Sequence, residues 1–218
     1  MPSDYLPAIA AFAAFALLHS VGAQEPFKHA LTRVAGEFFV VHFWRATYCA
    51  LSIAAIYGGI AGLLWAALPD GNEWLIAYPD WLWNLITLVH LLSIGLLYVA
   101  FLQSDYLEFL GIRQAWHGLL GLAGRSRPPL ALFGSDRLVT DGIFGWVRHP
   151  MLAAGLLFVL TSGPSLNNLV YLGLYTTYML AGAWYEERRL VRIFGDAYLR
   201  YREQVGAFFP RRSRLREG

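Results

Sequence analysis

Arg148 and His149 stand directly ahead of Pro150, and two adjacent glutamates, Glu186 and Glu187, follow after a long apolar stretch. Guanidinium, imidazole and carboxylate groups bind anions, move protons and hold cations. Here they gather where apolar runs end, a position at which membrane proteins seldom keep ionisable groups without a use. Pro150 fits the first turn of a helix, where its missing N–H breaks no bond. Arg148 and His149 therefore precede a helix amino terminus, a setting that favours anions and lowers the pKa of a nearby imidazole. Arg148 can clamp a carboxylate or phosphate, while His149 gives or takes one hydrogen bond. Glu186 and Glu187 reach the same depth if the two helices pack as a hairpin, and they attract a cation from the protein or a ligand. A structural salt bridge from Arg148 to one glutamate is the plainer reading of the same residues.

Beyond the glutamates, Leu190, Ile193 and Phe194 continue an apolar stripe at helical spacing. Gly195-Asp196 then breaks and recaps the chain, and Tyr198, Tyr201 and Val205 form a second stripe before Phe208-Phe209-Pro210. Such a tail can fold back over the mouth of a helical bundle. Tyrosines at this depth also serve as interfacial anchors.

The elements that must position these groups are membrane helices. Hydrophobic residues make up 57% of the chain, charged residues 15%, and the mean hydropathy is +0.44, too apolar for an ordinary soluble domain. Crossing a hydrocarbon core takes about 20 apolar residues. Three blocks are long enough: Tyr5 to Gly22, Ala46 to Leu68 and Trp81 to Leu102. Two shorter blocks, Met151 to Ser162 and Leu169 to Trp184, are joined by the helix breakers Gly163-Pro164-Ser165-Leu166-Asn167-Asn168. They predict a tight transmembrane hairpin, lengthened if the Phe144 to His149 approach also lies at membrane depth, with a re-entrant pair as the alternative. The expected fold is an all-α polytopic bundle of about five transmembrane helices in a single integral membrane domain. Residues 1–103 form a three-helix part, 104–149 a cytoplasmic loop, 150–185 the hairpin and 186–218 an amphipathic cytoplasmic tail.

Charge orients this map, because basic residues stay on the cytoplasmic side of spanning helices. With five spans, Lys28, Arg33, Arg45, Arg113, Arg125, Arg127, Arg137, Arg148 and every arginine from Arg188 to Arg216 fall on one side, accounting for all 17 basic residues. Asp4, Asp70, Glu73 and Asp80 fall on the other, so the amino terminus faces outward and the carboxyl tail the cytoplasm. Met1 to Tyr5 carries no basic residue, so the first block is expected to stay as a span and not be cleaved near Val21-Gly22-Ala23. The net charge of +2 is small, and the arginines serve orientation and lipid head groups before nucleic acid. No Cys-His spacing suits a structural zinc site, and the lone Cys49 can form no internal disulfide. Gly118, Gly121 and Gly124 lack the strand-turn-helix context of a phosphate loop and are expected to form a flexible connection. The stretch from Leu110 to Leu122 can alternatively lie along the interface as a short amphipathic helix. His19 and His42 sit near the cytoplasmic ends of the first two spans, where packed histidines are as common as catalysts.

In register across the last third of the chain, Arg148-His149-Pro150, Glu186-Glu187, Leu190, Phe194-Gly195, Tyr198, Tyr201, Val205 and Pro210 closely resemble the carboxyl-terminal signature of the isoprenylcysteine carboxyl methyltransferase and phospholipid methyltransferase superfamily. Upstream, Leu18-His19-Ser20, Phe27-Lys28 and Gly111-Ile112-Arg113-Gln114 look like the bacterial methanethiol S-methyltransferase branch, and partly like membrane proteins associated with nitrite and nitric oxide reductase genes. The resemblance implies a methyltransferase of the bacterial cytoplasmic membrane using S-adenosylmethionine. It implies that Arg148, His149, Pro150, Glu186, Glu187, Tyr198, Tyr201 and Gln114 hold the donor, with Arg148, His149, His19 or His42 as catalytic candidates. The prenylcysteine enzymes usually show Tyr then Gly where this chain has Leu152 and Ala154, with glycine delayed to Gly155. That departure leans toward a small lipophilic thiol. A membrane reductase using NADPH and a haem or quinol protein using His19, His42, His90 or His149 are the competing classes.

Reporter fusions after Asp70, Gly124 and Gly218 test the map: Asp70 is expected outside and the other two in the cytoplasm. A cytoplasmic Asp70 overturns the topology.

Overall fold

Proline decides where the first helix stops. In the computed structural model, which describes residues 5–55, 74–124 and 138–211, helix α1 runs Leu6–Ala23. The next residues, Glu25 and Pro26, open helix α2, Glu25–Ala35. Pro26 has no N–H to give the carbonyl of Gly22, so the α1 ladder cannot continue past it. Trp44 Nε1 takes up that freed carbonyl at 3.2 Å. Gly36, at φ +83°, separates α2 from α3, Glu37–His42, and α4 follows at Trp44–Ala54. The apolar blocks alone specify no element between the first two expected spans, yet the residues there are helical. The second expected span, Ala46 to Leu68, is described only to residue 55, and its remainder lies outside the described residues.

The chain divides into two units, Met1–Pro69 with Asp105–Asp136, and Asp70–Ser104 with Arg137–Gly218. In the first, α6, Tyr106–Phe109, and α7, Ile112–Leu122, join the helices above. Arg45 reaches Glu108 at 3.4 Å, and Arg113 reaches Asp105 at 2.9 Å, tying α4, α6 and α7 by charge. Gly118 and Gly121 thus belong to a helix and not to a flexible connection. The reason is packing: a Cβ on Gly118 would stand 2.7 Å from the His42 Cβ, so glycine lets α7 approach α3 closely.

In the second unit, α5 spans Asp80–Gln103 with a mean hydropathy of 2.3 in its most apolar window, of which only 11% is buried. A soluble protein's core helix would be mostly covered. Leu85, Leu88, Leu91, Leu92 and Leu96 are exposed around it, so the solvent that suits this surface is lipid. The covered residues of α5, Ser93 and Ala100, are small, as is Ala154 on α8, Pro150–Leu160, which packs against it. Small residues are what closely approaching membrane helices require.

Helix α8 is only about 16 Å long at 1.5 Å per residue, against a hydrocarbon core of about 30 Å. Its leg nevertheless meets α5 at three heights. Gln103 Oε1 accepts from the Ile143 N–H at 2.8 Å, and His90 Nδ1 lies 3.0 Å from Thr161 Oγ1. Farther along, Trp83 packs at a tilt on Trp74, ring centroids 4.5 Å apart, and Trp74 pairs with Ser165. Trp83 and Gln103 are about 30 Å apart on a helix. The turn after α8 therefore supplies the reach that the helix lacks. The Phe144 to His149 approach does not lengthen α8, because Gly142–Gly145 is a 3-10 turn and His149 is the residue ahead of the helix.

The last helices are α9, Leu166–Phe194, and α10, Asp196–Gln204. α9 is much longer than the apolar block Leu169 to Trp184 and carries Glu186 and Glu187 within a continuous helix. Gly195, at φ +52°, ends it where the sequence predicts. Tyr198, Tyr201 and Val205 then form a buried cluster with Leu190, Val191 and Phe194.

Gly118→Val is expected to destabilise the detergent-solubilised protein by about 1–3 kcal/mol through overpacking against α3. Gly121→Ala, with open space around it, is expected to leave the melting temperature unchanged or higher. Equal melting temperatures for wild type and Gly118→Val disprove the close approach.

Candidate functional site

Three side-chain donors converge on one carboxylate oxygen in the second unit. Glu187 Oε1 accepts from Arg148 Nε at 2.9 Å and Nη2 at 2.5 Å, and His149 Nε2 lies 3.2 Å away. Glu187 Oε2 accepts no hydrogen bond among the described residues. Arg148 Nη1 donates to the carbonyl of Arg202 at 3.1 Å and to that of Val205. Four of the five guanidinium N–H groups are thereby committed to protein acceptors. Arg148 clamps a carboxylate, as its type suggests, but the carboxylate is the protein's own. The plain salt-bridge reading of the sequence describes this contact.

The chain folds this way because the tail pairs with the approach to α8. Val147 bridges Gly206, the Arg148 N–H donates to the Gly206 carbonyl at 2.8 Å, and the His149 N–H to that of Ala207 at 3.0 Å. A Cβ on Gly206 would fall 2.0 Å from the Phe209 carbonyl oxygen, so only glycine permits the tight turn that follows. Phe208 covers the His149 ring with centroids 5.7 Å apart. The Tyr201 hydroxyl donates to the Phe144 carbonyl at 2.6 Å, fastening α10 to the same approach.

His149 Nδ1 lies 3.3 Å from Glu186 Oε2 while Nε2 faces Glu187. Carboxylates only accept, so both contacts are satisfied together by the imidazolium alone. Burial by itself pushes the His149 pKa down, but hydrogen bonds and charge from Glu186, then Glu187, outweigh it and hold the group above its ordinary 6.5. The helix terminus therefore does not decide this imidazole's charge; the two glutamates do. Burial works against the Glu187 carboxylate, yet Arg148 and His149 outweigh it and keep its pKa below the ordinary 4.5. Burial pushes the Tyr201 phenol up to about 12 and raises Tyr198 further, with Glu187 adding to the latter. Both stay protonated at neutral pH. The Tyr198 hydroxyl is buried without a hydrogen-bond partner.

A cleft of about 430 Å³ opens beside the network, lined by Arg148, Arg202, Glu203, Gly206, Ala207 and Arg211. Its size falls in the range of small-molecule sites. The sequence counted Arg202 and Arg211 only for membrane orientation. The signal that singles them out is the turn that returns Arg211 to α10, which no periodicity reveals.

Structure brings together Arg148, His149, Pro150, Glu186, Glu187, Tyr198 and Tyr201. His19, His42 and Gln114 belong to the first unit. There His19 Nδ1 contacts Ser52 Oγ at 2.9 Å, and His42 Nδ1 contacts the Phe38 carbonyl at 3.0 Å. Gln114 Oε1 is buried without a hydrogen-bond partner, as is His117 Nδ1 one turn along α7. His117 was missed by the sequence reading, and its i+3 spacing from Gln114 is the signal that could have found it.

The network predicts a pH window. The raised His149 pKa contributes stability that is complete below 6.5 and lost as pH rises through the folded value. The depressed Glu187 pKa contributes stability that is complete above 4.5 and lost as pH falls through its folded value. Thermal stability is expected to be greatest between these limits, and His149→Gln to flatten the alkaline limb in thermal melts across pH. Glu187→Ala, which strands the buried Arg148 charge, is expected to cost about 3–5 kcal/mol. An alkaline limb unchanged in His149→Gln removes His149 from the network.

Residues 8–213 match the family described as NnrU protein. The chain is 32% identical over 197 residues to a methanethiol S-methyltransferase of Pseudomonas deceptionensis, covering 90% of this chain and 69% of that protein. It is 28% identical over 204 residues to methanethiol S-methyltransferase 1 of Bradyrhizobium diazoefficiens, covering 91% and 64%. It is also 25% identical over 209 residues to the protein-S-isoprenylcysteine O-methyltransferase of Schizosaccharomyces pombe, covering 91% and 81%. The chain thus spans about two thirds of the length of the two methanethiol relatives. No solved structure matches it. Similarity to several named methyltransferases over nine-tenths of the chain supports a methyltransferase, and the exposed apolar helices a membrane protein. By the match over residues 8–213, this chain belongs to the NnrU protein family.

Proposed function

We propose that the protein is a multi-pass methyltransferase of the bacterial inner membrane, amino terminus outside and tail cytoplasmic, that transfers the methyl group of S-adenosylmethionine to a small lipophilic thiol. The carrying observation is the similarity to methanethiol S-methyltransferases across nine-tenths of the chain.

The residues present fit such a donor. Glu187 Oε2 and the largely exposed Glu186 carboxylate are acceptors for an ammonium group or ribose hydroxyls. The buried Tyr198 hydroxyl, beside Arg148, is a further polar atom at this site. Arg202 and Arg211 give the adjoining cleft a positive lining for a carboxylate. With His149 protonated, the side-chain charges of Arg148, His149, Glu186 and Glu187 cancel, so the network does not repel a sulfonium.

When bound, the donor supplies an electrophilic methyl group. Transfer from a sulfonium to a thiolate cancels opposite charges, which a low-dielectric boundary favours over water. A new carbon–sulfur bond forms as the sulfonium bond breaks, and the product is a thioether. The thiol must first lose its proton, since free thiols have pKa values of about 8.5 or above. His149, held as an imidazolium between two glutamates, is a positioning residue and a poor base. The thiol proton passes to a base outside this network.

Titrating the purified full-length protein with S-adenosylmethionine and NADPH, followed by a thiol panel with methyl transfer as readout, tests the reading. S-adenosylmethionine is expected to bind, NADPH not, and methanethiol-sized thiols to be methylated. Binding of NADPH without the methyl donor overturns the proposal.

A further inference from the structure

The cleft beside the tail has a charge pattern that the Arg148 network does not use. Arg202, Glu203 and Arg211 all line it, and none of the three forms an ion pair among the described residues. Exposed charges on a helix are commonly just solvated, and Arg202 and Glu203 alone would read that way. Arg211 changes the reading, because it comes from outside the helix. The chain turns back at Gly206, where no Cβ is tolerated, and Arg211 Nη1 donates to the Glu203 carbonyl at 2.8 Å. Arg148 simultaneously ties down the carbonyls of Arg202 and Val205. Two arginines and one glutamate, none of them in an ion pair among the described residues, thus line one small cleft beside a built turn.

We infer that this cleft holds a zwitterionic α-amino-acid group, its carboxylate taken by Arg202 and Arg211 and its ammonium by Glu203. The inference rests on the donor reading above, under which the group is the amino-acid end of S-adenosylmethionine. Paired guanidinium groups match the forked geometry of a carboxylate, and Glu203 accepts from an ammonium that a carboxylate-only site would repel. The cleft lies against Arg148, so the amino-acid end is fixed beside the network. The Arg202 and Glu203 side chains make no hydrogen bond among the described residues, so neutral replacements leave the fold's own contacts in place.

The test measures binding of S-adenosylmethionine, its decarboxylated form and 5′-methylthioadenosine to the full-length protein in lipid nanodiscs. Wild type is expected to prefer the carboxylated donor at least tenfold. R202Q is expected to lose about fivefold in S-adenosylmethionine affinity and R202Q/R211Q at least tenfold, with decarboxylated donor affinity unchanged in both. E203Q is expected to weaken both ammonium-bearing ligands and spare 5′-methylthioadenosine. Variants that bind S-adenosylmethionine with the full wild-type preference overturn the inference while leaving the donor reading intact. A wild type that binds none of the three overturns both. A zwitterionic phospholipid head group presents the same pair of charges, so titrations are run with and without phosphatidylethanolamine. A preference that holds in both supports the donor's amino-acid end; an R202Q effect seen only with that lipid assigns the cleft to the head group and overturns it.

Discussion

A single carboxylate oxygen, Glu187 Oε1, holds together chain segments that are far apart in sequence. It receives Arg148 and His149 from the approach to α8 while standing on α9, and Arg148 passes the connection to the end of α10 through two backbone carbonyls. Removing two charges from water costs several kcal/mol each, so this pairing is poor as a source of net stability. Its value is geometric. A helix carboxyl terminus leaves carbonyls without partners, and Arg148 supplies donors to those of α10 at the point where the tail must turn. The tail then returns as a short parallel pairing with residues 147–149, and that pairing is what gives the cleft its wall.

Charge balance within the network shapes the chemistry assigned to it. Two carboxylates and one guanidinium leave one negative charge, which the imidazolium of His149 cancels. A neutral His149 would leave one ring nitrogen facing a carboxylate without a proton to share, a repulsive contact in a buried place. The same carboxylates that keep the ring charged remove it from service as a base near neutral pH. In the proposed reaction, proton removal from the thiol therefore belongs to a group outside the cluster. Tyr198 and Tyr201 are no substitutes, since burial raises both phenols far from physiological pH.

Much of this arrangement was readable from residue types. Pro150 marked the start of α8, Gly195 the end of α9, and the Tyr198, Tyr201 and Val205 stripe the buried face of α10. Periodicity and helix punctuation are local, and local signals survive in a sequence. The partners of Arg148 were open, because ligand clamp and internal salt bridge use the same residues at the same spacing. Helices α2 and α3 are not specified by apolar blocks long enough to cross a membrane, because α2 is short and amphipathic and α3 spans only Glu37–His42. Gly118 was misread for a related reason. Glycine in a loop and glycine at a helix crossing look alike until the neighbour is known, and here the neighbour is the Cβ of His42.

Depth is the remaining constraint, and α5 supplies the scale. Inside a bilayer every backbone polar group needs a partner from the protein, so a helix as short as α8 can end there only if its last carbonyls are satisfied. Thr161 and Ser162 hydroxyls donate to carbonyls of Leu157 and Phe158, and the Asn168 side chain donates to those of Ser162 and Gly163. With its far end closed in this way, α8 is registered against α5 by His90 and Thr161 in the middle and by Gln103 and Ile143 at the other end. Ile143 is close in sequence to Arg148, so the end of α5 that marks the edge of the apolar surface also sets the height of the ionic cluster. A cluster placed deeper would bury charge beyond what four side chains can neutralise. One placed farther out would give its contacts to water and lose the low dielectric on which the proposed methyl transfer, between oppositely charged sulfurs, depends.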